Sequence, residues 1–285
     1  MSAILVAEGG ANSGDNGRLL RFFLSSKRIR KLADIPAGTR ALATHPSLPF
    51  AVLAGARGVC LVDLISGRVT ASDAASRWDL EDVAVDAAGK SLLAADCRGG
   101  RLVRIDVSDL RVEDFAVGLR SPRAVAVSAT GDQVFVAVCP HGMGGSVCRI
   151  DPDGNVSVLA SALANPSAVA LSVDERTVYV TEVGVGALTA IDRSNGSVRR
   201  IVLGVRGARG LAVTATRAYV LEGWLPRQGA FHSMSSNRLS GGRFTGRLTE
   251  VLLTGGSALS LVDDLHHPQA LALDWSTQAP EENAA

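Results

Sequence analysis

Three stretches of the chain align almost without gaps. RLVRID from Arg101 leads on to SPRAVAVS and QVFVAV, SVCRID from Ser146 leads to NPSAVALS and TVYVTE, and ALTAID from Ala187 leads to ARGLAVT and RAYVLE. Each unit is four short β-rich runs, here called a to d, bounded by Gly, Pro, Asn or Asp turns, which is the pattern of a four-stranded propeller blade. Glycines opening run c fall at Gly17, Gly58, Gly100, Gly145, Gly186 and Gly246, and run a begins at Arg40, Glu81, Arg123, Ser167, Arg209 and Gln269. Run b ends at Glu8, Ala54, Asp96, Val138, Glu182 and Glu222, with steps of 40 to 46 residues. The a and c series each carry one step of 60 across a single insertion between Glu222 and Gly246. The chain therefore reads as an all-β, six-bladed β-propeller with four-stranded blades. It opens on a b-type run (Ile4 to Glu8) and ends on an a-type run (His267 to Asp274), so the C-terminal strand is expected to pair with the N-terminal strands and leave no open edge. Residues 1–276 form one domain in this reading, and 277–285 are a polar tail.

Composition agrees with such a fold and removes several function classes. Apolar residues make up 47% of 285 residues but aromatics only 4%, so the core rests on Val, Leu, Ala and Ile, which suit stacked strands. The net charge is +1 with no long run of one sign, so no nucleic-acid partner is expected. The N-terminus lacks the parts of a signal peptide and no apolar run approaches 18 residues, so no membrane association is expected and a cytoplasmic protein is. Cys60, Cys97, Cys139 and Cys148 show no CxxC or metal-ligand spacing and read as buried apolar residues. Because GxSxG, HExxH and phosphate-loop motifs are absent, neither a cofactor nor a metal is expected.

The blade signature, PxAVAVS or PxALALD in a, VYVTE in b and GxVxRID in c, resembles the six-bladed propellers of the SMP-30/gluconolactonase, strictosidine synthase-like and NHL-repeat group. That resemblance covers nearly the whole chain. It implies either a calcium-dependent lactonase, a cofactor-free synthase or an interaction module. The lactonase branch holds its cation with acidic and amide side chains at the starts of inner strands. The matching positions here are Arg40, Glu81, Arg123, Ser167, Arg209 and Gln269, and three guanidiniums beside one carboxylate repel Ca²⁺. The glutamate that the synthase branch carries on an inner strand of its last blade matches Gln269, which exchanges no proton.

Starts of a and ends of b share one face of a propeller, called the top here. Three of the b-to-c connections on that face are long: Glu8 to Gly17, Val138 to Gly145 and Glu222 to Gly246. Long loops on one face commonly build a site. Glu8, Asp96 and Glu182 alternate with Arg40, Arg123 and Arg209 of the following blades, which predicts three inter-blade ion pairs around the channel mouth. Glu222 and Glu81 have no such partner, so Glu222 is expected to be the functional acid, assisted by Glu81 or by His141, His232 or His267. Arg40, Arg123, Arg209 and Gln269, with Trp224 and Phe231 of the insertion, are the expected substrate-binding residues. The reading that follows is a metal-independent acid–base enzyme (cyclase, lyase or hydrolase) acting on a small, partly apolar organic molecule, with the arginines at the mouth favouring an anionic group on it. Two alternatives accompany it: a calcium lactonase drawing ligands from Glu8, Asp96 and Asp15, and a non-catalytic propeller that binds a protein or ligand.

Overall fold

A computed structural model describes residues 3–9, 15–72, 78–140, 144–223 and 245–276. The chain opens on β1 (Ala3–Glu8), β2 (Gly17–Phe23) and β3 (Ile29–Ile35), which belong to the last blade. Blade 1 holds β4 (Thr39–Ala43), β5 (Phe50–Gly55), β6 (Gly58–Asp63) and β7 (Val69–Ser72), and blade 2 holds β8 (Leu80–Val85), β9 (Ser91–Asp96), β10 (Arg101–Asp106) and β11 (Val112–Val117). Blade 3 follows with β12 (Pro122–Val127), β13 (Val134–Val138), β14 (Gly145–Ile150) and β15 (Val156–Leu163). Blade 4 is β16 (Pro166–Leu171), β17 (Thr177–Glu182), β18 (Ala187–Asp192) and β19 (Val198–Leu203). Blade 5 is β20 (Ala208–Val213), β21 (Arg217–Gly223), β22 (Thr245–Leu252) and β23 (Ala258–His266), after which β24 (Pro268–Asp274) returns to β1.

Six antiparallel sheets of four strands result, and the sixth has the order β24-β1-β2-β3. Ala3 lies opposite Asp274 and Val6 opposite Leu271, so the ring closes by pairing the two ends of the chain, as the sequence predicts. The polar tail, 277–285, lies outside the described residues.

Strand alternation explains the core. On β1, Leu5 and Ala7 pack toward blade 1, whereas Ile4 and Val6 pack toward blade 5. One apolar cluster fills each of the six blade junctions in this manner, and second strands such as β13 are buried along their whole length. Both faces of a blade are interior, so these strands need an unbroken apolar run rather than a polar-apolar alternation. The glycines that open third strands answer to the same crowding. A Cβ on Gly145 would sit 2.1 Å from Cδ of Pro166 in the next blade, and one on Gly246 would sit 2.2 Å from the Glu222 carbonyl oxygen.

Candidate functional site

The first strand of every blade is a free inner edge facing the channel, and each carries a β-bulge near its start. Pairing passes from Thr39 to Ala41, Leu80 to Asp82, Pro122 to Ala124, Pro166 to Ala168, Ala208 to Gly210 and Pro268 to Ala270, leaving one residue unpaired in each strand. Those six residues are Arg40, Glu81, Arg123, Ser167, Arg209 and Gln269. A bulge re-aims the side chain of its extra residue, and the result is a ring of these side chains at the top mouth of the channel.

The expected inter-blade pairs of Glu8 with Arg40, Asp96 with Arg123 and Glu182 with Arg209 do not form. Each acid instead meets an arginine of its own blade: Glu8 with Arg18 at 2.5 Å, Asp96 with Arg101 at 3.0 Å and Glu182 with Arg200 at 3.1 Å. The acids end second strands, where they turn over their own blade and also accept a backbone amide from a residue just before its first strand. His266 N donates to Glu8 at 2.8 Å, Asp79 N to Asp96 at 3.4 Å and Ala164 N to Glu182 at 2.7 Å. The bulge meanwhile carries the partner expected from the sequence into the channel.

Glu222 follows the same pattern, which overturns its expected role as an unpaired acid. Its carboxylate accepts bonds from Arg206 N at 2.7 Å and from the Thr249 hydroxyl, and it lies 3.5 Å from Nε of Arg247. Thr189 and Arg200 surround Glu182 in the same way, so Glu222 is its structural copy one blade later. Glu81 was also expected to lack a partner, yet Arg40 reaches it at 2.9 Å and Asp79 at 2.5 Å. Blade 1 ends β5 on small residues, so Arg40 turns forward to the acids of blade 2. His267 does lie at the mouth: burial, His266 and Arg209 lower its pKa, with Glu8 opposing them. His141, His232, Trp224 and Phe231 fall outside the described residues, as do parts of each long top connection. Among the described residues no three His, Cys, Asp or Glu side chains form a metal-binding group, and Glu8 and Asp96, expected ligands of the lactonase alternative, are held by arginines.

The remaining half of the ring runs Arg123, Ser167, Arg209. Neither guanidinium has a carboxylate at ion-pair distance among the described residues: Nε of Arg123 is buried without a hydrogen-bond partner, and Arg209 meets only the neutral Gln269, at 3.3 Å. Enclosure by the channel wall lowers the pKa of Arg209; Glu81 opposes this, and the charges of Arg40 and Arg123 add to it. Arg209 as a whole residue is nonetheless exposed. Ser167 between them donates to the Ala208 carbonyl at 2.8 Å. The three residues before the first-strand prolines, Ser121, Asn165 and His267, adopt positive φ angles of 53°, 57° and 45°, and such backbone strain in non-glycine residues concentrates around sites. A groove of about 730 Å³ elsewhere on the top is lined by Gly38, Gly55, Ala56 and Arg57 and contains no acid or histidine, so it offers far less chemistry than the mouth.

One residue of the site escaped the sequence reading. The residue after each bulge is Ala41, Asp82, Ala124, Ala168, Gly210 and Ala270, a column of small residues broken by one acid. Superposing the repeats reveals that exception. Asp82 accepts the amide of Val125, on the next blade's first strand, at 2.9 Å. Burial raises its pKa to about 7 against the pull of the Val125 and Val83 amides, and Glu81 adds to the rise. The folded value then exceeds the unfolded value of roughly 3.9, so the folded state holds an extra proton between these limits. Asp82's contribution to stability is most favourable below about pH 4 and declines as pH rises toward about 7. Asp82→Ala, which installs the residue found at this position in four other blades, is expected to raise stability at about pH 8 by on the order of 1–4 kcal/mol and to have little effect near pH 4. Urea unfolding at both pH values checks this, and identical pH dependence of the two proteins would refute it.

No protein-family model and no curated protein sequence matches the chain. Solved structures do match in fold. The chain is similar to one in the nidogen/laminin complex (TM-score 0.75, 12% identity, 95% of this chain and 98% of that one). It is also similar to TolB from Acinetobacter baumannii (TM-score 0.68, 14% identity, 95% and 66%) and to a TolB-like protein from Agrobacterium tumefaciens (TM-score 0.66, 12% identity, 94% and 90%). At these identities the likeness establishes the six-bladed propeller and nothing finer.

Proposed function

We propose that this protein is a ligand-binding propeller that captures the acidic group, carboxylate or phosphate, of a small organic molecule at the top mouth of its channel. The observation that carries this reading is the Arg123–Ser167–Arg209 half of the ring, two guanidiniums with no ion-pair partner among the described residues. Like charges gathered in a partly enclosed mouth raise the free energy of the empty site, and a bound anion relieves it. Guanidinium forks suit carboxylate and phosphate oxygens. Binding is favoured over the acid–base catalysis expected from the sequence because Glu222 and Glu81, the two acids named for it there, are both engaged by arginines. The nidogen propeller, solved together with laminin, is a precedent for this fold in binding. The motif resemblance to the SMP-30, strictosidine synthase-like and NHL-repeat group supports a top-face site as well.

Titration calorimetry with succinate and with inorganic phosphate tests the reading. Binding to the full chain should weaken as salt rises. Arg123→Gln and Arg209→Gln should each lower affinity by about tenfold or more, the loss of a charged hydrogen bond. Gln already occupies the equivalent position 269, so neither variant should melt earlier than the parent. Unchanged affinity in both variants, or no binding of either anion to the parent protein, would remove the proposal.

A further inference from the structure

We propose that Asp82 reads a second group on the captured anion, so that the mouth selects small organic acids with a hydroxyl or amino group beside the acid, as in 2-hydroxy and 2-amino acids. This rests on the anion site proposed above. Asp82 follows Glu81 on β8, which places it one strand residue, about 3.3 Å, below the ring. Its carboxylate bonds to Val125, two residues along β12 from Arg123. An anion on Arg123 therefore lies within one small molecule's length of Asp82.

The rest of that level is apolar and small. Ala41, Ala124, Ala168 and Ala270 at the equivalent positions are buried in the blade junctions, whereas Asp82 is only part-buried and is the one polar side chain of the column, so a donor on the ligand just below its acid group meets this carboxylate. A carboxylate offers about four lone-pair positions, and the Val125 and Val83 amides leave room for another donor. The charged group that bears on it is Glu81 on its own strand; the other charges of the ring are Arg40 on β4, Arg123 on β12 and Arg209 on β20. The last two hold the acid end of the ligand, while Glu81 is taken by Arg40. A raised pKa of about 7 leaves Asp82 mostly ionised, and so an acceptor, at slightly alkaline pH.

The test is calorimetry on the full chain at about pH 8 with succinate, malate and aspartate, which share two acid groups and differ in the donor beside one of them. Inorganic phosphate reports on the anion site alone. The parent protein is expected to bind malate or aspartate about tenfold or more tightly than succinate. The difference between malate and aspartate tells hydroxyl from ammonium. Asp82→Ala should bring the ratio to succinate close to one while phosphate still binds, and Asp82→Asn, which keeps the shape and loses the charge, should fall between. Equal affinities in the parent, or a preference that survives Asp82→Ala, overturns the role of Asp82 and leaves the anion site standing. Failure of phosphate and of all three acids to bind the parent overturns both.

Discussion

A chain lacking residues 1–9 is expected to be recovered only as insoluble protein. β1 lies between β24 and β2, paired to both along its length, and Ala3 to Glu8 are all buried. Its loss removes Ile4 and Val6 from the junction with blade 5, and Leu5 and Ala7 from the junction with blade 1. Burying one large aliphatic side chain contributes about 1.5–3 kcal/mol, so three of them account for roughly 5–9 kcal/mol of a stability that is about 5–15 kcal/mol in total for ordinary proteins. The loss also frees facing edges on β24 and β2, which are templates for intermolecular pairing. Soluble yield, gel filtration and thermal melting check the outcome. A soluble monomer with the parent's melting temperature would show that the ring does not depend on this closure. Removing 278–285 is the control, since β24 ends at Asp274, and it should leave melting unchanged.

Glu182→Ala and Glu222→Ala are expected to destabilise the protein by similar amounts, about 3 kcal/mol each. Both carboxylates are buried, and each holds a loop amide, a threonine hydroxyl and an arginine of its own blade. Breaking a buried pair from one side costs about 3–5 kcal/mol. The lower end applies because Arg200 and Arg247 are partly exposed and regain water when released. Glu→Gln at either position keeps an acceptor and should cost less, about 1–2 kcal/mol. Burial opposes ionisation of Glu182, but the Ala164 amide, Arg200 and Thr189 prevail and hold its pKa below the usual carboxylate range. Its stabilising contribution is therefore complete above the unfolded value of about 4.3 and declines as pH falls below it. Urea unfolding of the four variants provides the measurement. Stability unchanged by Glu222→Ala would restore it as a candidate functional acid.

The sequence alone determined the architecture. Blade number, strand order and ring closure follow from local signals repeated along the chain: apolar runs of strand length, turn residues between them, and an a-type run at one end matching b- and c-type runs at the other. Glycines at the starts of third strands kept the register because a Cβ has no room there, as at Gly145 against Pro166. The positions forming the mouth were legible too, since Arg40, Glu81, Arg123, Ser167, Arg209 and Gln269 recur at one place in the repeat. Which charges meet was decided by tertiary structure. A bulge shifts one residue out of register and turns its side chain from the blade face to the channel, and two of the six bulges took Arg123 and Arg209 away from Asp96 and Glu182. The acids found arginines on the third or fourth strands of their own blades, a choice set by side-chain direction over distances that alternating charge along the chain does not encode. Asp82 lies between the two cases: its place in the repeat is visible in the sequence, but its enclosure in the channel and its contact with Val125 exist only once neighbouring blades stand side by side.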